Sequence, residues 1–412
     1  MKTITAALGA AVALIVLPLF GAQSLSRPVA MALAMPEQTT GVIAMMPMLG
    51  YAAGLVLLVP LIDIFGVRTV VPVTLLAGVF GLVGAAFAST APFFFVCAFV
   101  VGVATSATQM VIPFAAGLVR SDERGRMIGK VMGGLMVGVL LSRPVASLSA
   151  HLVGWRGAYI IEAALLSVVL IGFICALPHR IEARRSSLGY AKLVRSLWLV
   201  LREEPVLRRR ATCQALCMGA FGSFWTAAPL LLTSPPFDFG QVGIGLFAFA
   251  GAGGIVVAPL AGWIGDRSSG EAATRIAHIL VVAGSALALL VGTSWPKLPA
   301  LTTPTANLIC LTLAAVVLDM GVIGDQTLGR HAVNMLRPEI RGRVNGLYTG
   351  LFFVGAAVGS ALAGIVWVKW GWDSICGVGI CFGISACALD ALTSRKLKRS
   401  LVEAPSQVCD GM

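Results

Sequence analysis

Apolar stretches of about twenty residues recur along the chain, separated by short polar or charged segments. A bilayer core about 30 Å thick needs roughly 20 helical residues per crossing. The pattern predicts twelve spans, at residues 4–22, 40–62, 69–88, 93–119, 127–149, 156–177, 211–232, 240–264, 274–294, 304–326, 342–367 and 371–392. One long polar segment, rich in Lys and Arg, interrupts them at 178–210. Its middle, Tyr190 to Leu201, has apolar spacing suited to an amphipathic helix on a membrane surface. The predicted organisation is a six-span unit at 1–177, a basic linker at 178–210, a second six-span unit at 211–392 and a tail at 393–412. The first run follows Lys2 and ends near Gly21-Ala22-Gln23-Ser24, in the manner of a signal peptide. It is longer than a signal core, and its removal would leave an odd number of spans, so it is read as an uncleaved first span.

Composition narrows the class. The chain is 58% hydrophobic and 12% charged, with a mean hydropathy of +0.92. Soluble domains are about 45–50% apolar and about 25% charged, so a soluble enzyme, a secreted disulfide scaffold and a disordered chain are excluded. The net charge is +12, from 30 Lys and Arg against 18 Asp and Glu. In a soluble protein that excess would suggest nucleic acid. Here the basic residues sit in short loops, where they set orientation. With a cytoplasmic N-terminus, only Arg27, Arg156, Lys297 and Lys369 face outward, and Arg143 lies within a span. The reading is a multi-pass protein of a bacterial inner membrane with both termini cytoplasmic. Most of the nine cysteines fall in apolar runs, among them Cys97, Cys175, Cys310 and Cys387. Cys213 and Cys217 can share one helix face, but no His accompanies them in sequence, so they are read as small hydrophobes.

The two halves repeat with a shift of 217 residues. Gln109 falls on Gln326, and Arg124-Gly125-Arg126 on Arg341-Gly342-Arg343. Gly129, Gly133 and Gly138 fall on Gly346, Gly350 and Gly355, and Gly154-Trp155 on Gly371-Trp372. A parallel repeat of six-span halves is a transporter architecture, with its substrate site near mid-membrane between the halves. The glycines lie on roughly one face of the fifth and eleventh spans. That face serves either fixed close packing or sliding between helices.

The loop between spans two and three reads Val59-Pro60-Leu61-Ile62-Asp63-Ile64-Phe65-Gly66-Val67-Arg68. The corresponding loop of the second half reads Gly262-Trp263-Ile264-Gly265-Asp266-Arg267. With the twelve-span repeat, these resemble the signature loops of the major facilitator superfamily, Gly-x-Leu-x-Asp-Arg-x-Gly-Arg-Arg. The first loop keeps Asp63, Gly66 and Arg68; the second keeps Gly262, Asp266 and Arg267. The resemblance implies an all-α membrane fold of two six-helix bundles, and cytoplasmic latches at Asp63 and Asp266. Within the superfamily the chain resembles the bacterial drug and metabolite proton antiporters, through Gly125-Arg126-Met127-Ile128-Gly129, Phe224-Trp225-Thr226 and Asp319-Met320-Gly321-Val322 with Gln326. Ser142-Arg143-Pro144 departs from the Gly-Pro motif that this branch often carries in span five.

Ionisable residues inside a bilayer are costly and mark function. Arg143 lies in the outer part of span five, Glu162 in the outer part of span six, and Asp319 in span ten. Arg143 and Glu162 flank one short loop and are expected either to pair or to face the cavity, with Arg143 binding an anionic or carbonyl group. Asp319 and Glu162 are the candidate proton carriers. Gln23, Gln109, Trp225, Thr226 and Gln326 join Arg143 as candidate cavity residues. Helix-to-helix hydrogen bonding, or interfacial anchoring for Trp225, is the competing reading.

The sequence holds no phosphate loop, no His-Glu-x-x-His helix and no Gly-x-Ser-x-Gly elbow. An enzyme is not expected, nor a cofactor or a metal. The expected function is secondary active transport of a small organic compound by alternating access, first as proton-coupled efflux. The alternative is proton-coupled uptake of a small organic acid or sugar. An intramembrane enzyme or a transporter-like sensor is the reading from another class. Expected partners are the substrate, protons and membrane lipids, with no nucleic acid and a monomeric chain.

Overall fold

The computed structural model describes residues 2–120, 123–176, 189–267, 270–291, 303–337 and 340–402, and among these it is helical throughout, without strands. Ten helical stretches are long and apolar enough to cross a membrane. Two of them, Arg124–Cys175 and Arg341–Thr393, run to 52 and 53 residues and reverse at a single glycine. Gly154 (φ 75°, ψ 168°) and Gly371 (φ 72°, ψ −166°) hold a conformation essentially closed to residues with a Cβ. Each long stretch is therefore two crossings, and the total is twelve.

In chain order the crossings are α1 (Ile4–Ala32), α2 (Glu37–Phe65), α3 (Val67–Ala86), α4 (Ala91–Gly117), α5 (124–153), α6 (155–176), α7 (Pro205–Leu232), α8 (Gln241–Arg267), α9 (Glu271–Leu289), α10 (Pro304–Asn334), α11 (341–370) and α12 (372–402). A separate amphipathic helix, Tyr190–Glu203, precedes α7 and buries Leu193, Leu197 and Val200. Residues 178–188 of the linker and 403–412 of the tail lie outside the described residues.

Two ends differ from the predicted boundaries for one reason. The sequence closes the first span at residue 22, before Gln23, Ser24, Ser26 and Arg27, yet α1 runs unbroken to Ala32. Two of those side chains find distant partners: Gln23 meets Arg143, and Arg27 donates to the Thr233 hydroxyl, while Ser26 bonds the Gln23 carbonyl within the helix. A buried polar group with a partner no longer ends a membrane helix. Likewise α10 continues past residue 326 to Asn334, which carries Arg330 into the protein.

Glycines set how the helices approach. A Cβ on Gly138 of α5 would stand 2.5 Å from the Ala13 carbonyl oxygen of α1, and one on Gly355 of α11 would stand 2.0 Å from that of Ala215 on α7. These are repeat-related backbone contacts inside each half. Between the halves, α2 packs on α11 and α5 on the start of α8. A Cβ on Gly41 would meet the Ser360 carbonyl at 2.3 Å. Gly346 and Gly350 look toward α2 with ordinary spacing, at 3.8 and 3.4 Å, and Gly129 and Gly133 face open space. One sequence pattern thus holds two kinds of position. Its later members fix helix pairs, and its earlier members leave room at the seam.

Candidate functional site: a charged cavity between the halves

A cavity of about 80 Å³ lies between the halves. It has room for several waters, against the several hundred Å³ common for ligand sites. Its walls come from α1, α2, α4 and α5 on one side and α7, α8, α10 and α11 on the other. Most of the lining is apolar or aromatic, including Phe20, Phe221, Phe352 and Phe353. The ionisable lining is Arg143, Asp319 and Arg330, with Tyr51.

Arg143 is 3% exposed. Its guanidinium carbon sits 4.2 Å from the Trp225 ring centroid and 5.2 and 5.3 Å from those of Phe221 and Phe20. A cation over ring faces is stabilised by the ring quadrupole, more so away from water. Its Nε donates to Gln23 Oε1 at 2.9 Å, while Nη2 is buried with no hydrogen-bond partner. Gln23 Nε2 donates to Thr226 Oγ1 at 3.4 Å, and Thr226 donates to Ser360 Oγ at 3.1 Å. The chain of donors crosses from α1 to α7 and α11, so the guanidinium is oriented by both halves.

Asp319 accepts the Trp225 indole N–H at 2.9 Å. Trp225 is thus held at its edge by the carboxylate and covered on its face by Arg143, which is the carboxylate's counter-charge. Beside them α8 narrows to a 3-10 stretch, Ala248–Ala252. Gly251 there approaches so closely that a Cβ would stand 3.1 Å from Asp319 Oδ2. A 3-10 stretch inside a crossing departs from regular α-helical hydrogen bonding. On the opposite wall Gln109 Nε2 donates to the Tyr51 hydroxyl at 3.2 Å, and Tyr51 lies 3.4 Å from Thr108 Oγ1.

Of the residues singled out in sequence, Arg143, Asp319, Gln109 and Gln326 line the cavity. Gln23, Trp225 and Thr226 stand behind them as supports. Glu162 is not in the lining. Its carboxyl packs in the first half, where a Cβ on Gly21 would lie 3.1 Å from Oε1, and that oxygen is buried without a hydrogen-bond partner. Arg143 turns toward Gln23 and Trp225, so among the described contacts the two residues do not form the ion pair that their flanking positions suggest. Arg330 and Tyr51 were not singled out. Arg330 lies four residues, about one turn, beyond Gln326, which is the signal that reveals it once α10 is known to continue.

The two ends of the cavity are closed differently. At the end carrying the chain termini, Arg343 donates through Nη2 and Nε to Asp63 Oδ2 at 2.8 and 3.2 Å, joining the start of α11 to the end of α2. Gly66, at φ 78°, turns the chain into α3 directly after this carboxylate. The repeat-related pair would be Asp266 with Arg126, and no such bridge occurs among the described residues. Asp266 instead lies 3.5 Å from His331 Nδ1 within its own half. Arg267 lies over the Trp263 ring, and Arg68 makes no ion pair among the described residues. At the opposite end a groove of about 630 Å³ is lined by Ser24, Arg27, Trp155, Thr233 and Gln241. The Arg27 contact to Thr233 crosses it.

The profile of the Major Facilitator Superfamily matches residues 3–328. The chain belongs to the major facilitator superfamily. It is 31% identical to the uncharacterized transporter YgaY of Escherichia coli, over 87% of both chains. It is 30% identical to a Streptomyces coelicolor protein described as a transporter, over 82% of this chain and 75% of that one. Among solved structures, the nucleoside transporter NupG superposes with a TM-score of 0.68 and the human organic anion transporter TETRAN with 0.56. Each is 17% identical and covers 94% of this chain and 98% of its own. At that identity the likeness concerns the fold alone.

Proposed function

We propose that this superfamily member carries a small organic anion together with a proton, by alternating access at the cavity between its halves. The observation that carries the reading is the charged lining. Two guanidinium groups, Arg143 and Arg330, line the cavity with one carboxyl group, Asp319, and Arg143 keeps a buried N–H group without a partner. An anion or carbonyl oxygen would accept a hydrogen bond from that N–H. An organic cation entering the same space would meet two like charges.

The coupling follows from charge. While Asp319 is ionised it competes with an incoming anion for Arg143. A proton on Asp319 removes the competitor, so proton and anion bind together more favourably than either does alone. Shared binding in one cavity gives symport. This supports proton-coupled uptake of an organic acid over efflux by antiport, which would require substrate and proton to exclude one another. Trp225 transmits the state of Asp319, because its indole touches the carboxyl at the edge and Arg143 on the face.

Asp63 with Arg343 is the latch on the end carrying the termini, which the distribution of basic residues assigns to the cytoplasm. In this reading the latch seals the cytoplasmic end, and the Arg27–Thr233 contact is the one that parts when the cavity opens outward. The test is substrate selection in proteoliposomes: radiolabelled monocarboxylates, dicarboxylates, sugars and organic cations are offered in counterflow. Exchange of at least one anion class, lost in Arg143→Gln, is expected. Exchange of cations alone, unaffected by Arg143→Gln, would overturn the reading.

A further inference from the structure

Away from the cavity, three helices of the second half bring together Cys217 of α7, His278 of α9 and Asp325 of α10. The ligand-type atoms of the three all lie within 4.8 Å of one another. Cys217 and His278 are fully buried and Asp325 is 1% exposed. His278 Nε2 and Asp325 Oδ1 approach to 3.2 Å without forming a hydrogen bond, and His278 Nδ1 is also unpartnered. One turn before Cys217, the buried Oε1 of Gln214 is unpartnered as well, while its amide nitrogen donates to the Val322 carbonyl at 3.3 Å.

We propose that Cys217, His278 and Asp325 form a binding site for a zinc-like divalent transition-metal ion that clamps α7, α9 and α10. The donor set of one sulfur, one imidazole nitrogen and one carboxylate oxygen suits zinc, whose bonds of about 2.0–2.3 Å place neighbouring ligands about 3.3–3.6 Å apart. The His278–Asp325 separation already matches that edge, and Cys217, within 4.8 Å of both, has at most about one ångström to close. The unpartnered Gln214 Oε1, one turn before Cys217, is a further oxygen on the same helix. On binding, the Cys217 thiol releases its proton to solvent, and sulfur and carboxylate together balance the two charges of the ion. The ion occupies the position that the unpartnered nitrogen and oxygen atoms now leave without a hydrogen bond.

One cation stands against the site. Arg210 Nη1 is 3.9 Å from Asp325 Oδ1 and donates to Thr274 at 2.7 Å. Arg210 and the metal therefore compete for the same carboxylate, which gives the proposal a signature of its own. The site is separate from the transport cavity, although Met218 and Gln326, the neighbours of Cys217 and Asp325, line that cavity. Sequence spacing cannot mark the cluster, because its ligands are 61 and 47 residues apart in turn.

The experiment uses the full-length chain, purified in detergent without a histidine tag, stripped with a chelator and titrated with Zn²⁺ against a chromophoric competitor. Parallel samples take Co²⁺, whose thiolate charge-transfer absorption reports sulfur ligation. One ion per chain, a raised melting temperature and a cobalt–thiolate band are expected in the wild type. Cys217→Ser and His278→Ala should bind at least about tenfold more weakly. Cys213→Ser, whose thiol points to the Ala386 carbonyl, should bind normally, and Arg210→Gln should bind more tightly. Absence of a stoichiometric ion and of the cobalt–thiolate band in the wild type overturns the proposal, whatever the variants do. Binding that Cys217→Ser leaves unchanged also overturns it.

Discussion

At the scale of single residues, the site rests on a few charges placed where water is scarce. Arg143 is held by aromatic faces and by Gln23, and its Nη2 is buried without a hydrogen-bond partner. A hydrogen bond to a charged group contributes about 1.5–3 kcal/mol. Arg143→Gln is therefore expected to weaken substrate binding about ten- to a hundredfold, read as a rise in half-saturating concentration with the protein still folded. Trp225→Phe keeps an aromatic face for Arg143 but removes the N–H donated to Asp319. It should leave counterflow nearly intact while making accumulation under a proton gradient less sensitive to pH. Equal loss of both activities would show that Trp225 only packs. The candidate chemistry was partly legible at this scale. Arg143 and Asp319 stand out because charges inside apolar runs are rare, and Gln109 and Gln326 because the repeat pairs them. The partners were not legible. Gln23 lies 120 residues from Arg143, and Trp225 lies 94 from Asp319. Glu162 has the same sequence signature as Asp319 yet packs beside Gly21, away from the cavity.

At the scale of elements, the twelve crossings follow from run length alone, and their ends do not. Helices α1 and α10 pass their predicted limits where Gln23, Arg27 and His331 meet partners elsewhere in the chain, a fact that only the assembled fold contains. The repeat marked Gly154 and Gly371, and the structure gives the reason: each turns the chain between two crossings at positive φ. Gly154→Ala has open space for its methyl group but the wrong backbone preference. It should lower stability by about 1–3 kcal/mol, measured as melting in detergent. Gly355→Ala fails for the opposite reason, since its Cβ would stand 2.0 Å from the Ala215 carbonyl. Overpacking of this kind costs about 1–3 kcal/mol. Gly350→Ala, with 3.4 Å of clearance, should fold normally. Equal melting temperatures for the Gly355 and Gly350 variants would refute the division between fixed and seam positions.

At the scale of the whole molecule, internal symmetry is kept in the frame and broken at the working parts. Asp63 meets Arg343 across the seam, whereas Asp266 stays within its own half. Asp319 has Gly102 as its repeat counterpart, and among the described residues it is the one carboxyl in the cavity lining. An Asp63→Asn protein should reach the membrane at normal levels and lose most transport, whereas Asp266→Asn should be milder. Similar loss in both would restore a symmetric latch. The amphipathic helix Tyr190–Glu203 touches both halves. Tyr190 donates to the Leu57 carbonyl, and Arg337 pairs with Glu203 and Glu204 at 3.0 and 2.7 Å.

The central claim is that one cavity binds an organic anion and a proton together, through Arg143 and Asp319. Its most direct test is uptake of the anion selected by counterflow into proteoliposomes, with an acidic exterior imposed and then abolished. Wild-type protein is predicted to concentrate the anion only while the gradient lasts and to carry protons inward with it. Asp319→Asn is predicted to exchange the anion but never to concentrate it. Accumulation by Asp319→Asn equal to the wild type, or proton flow opposite to the anion, would contradict the account.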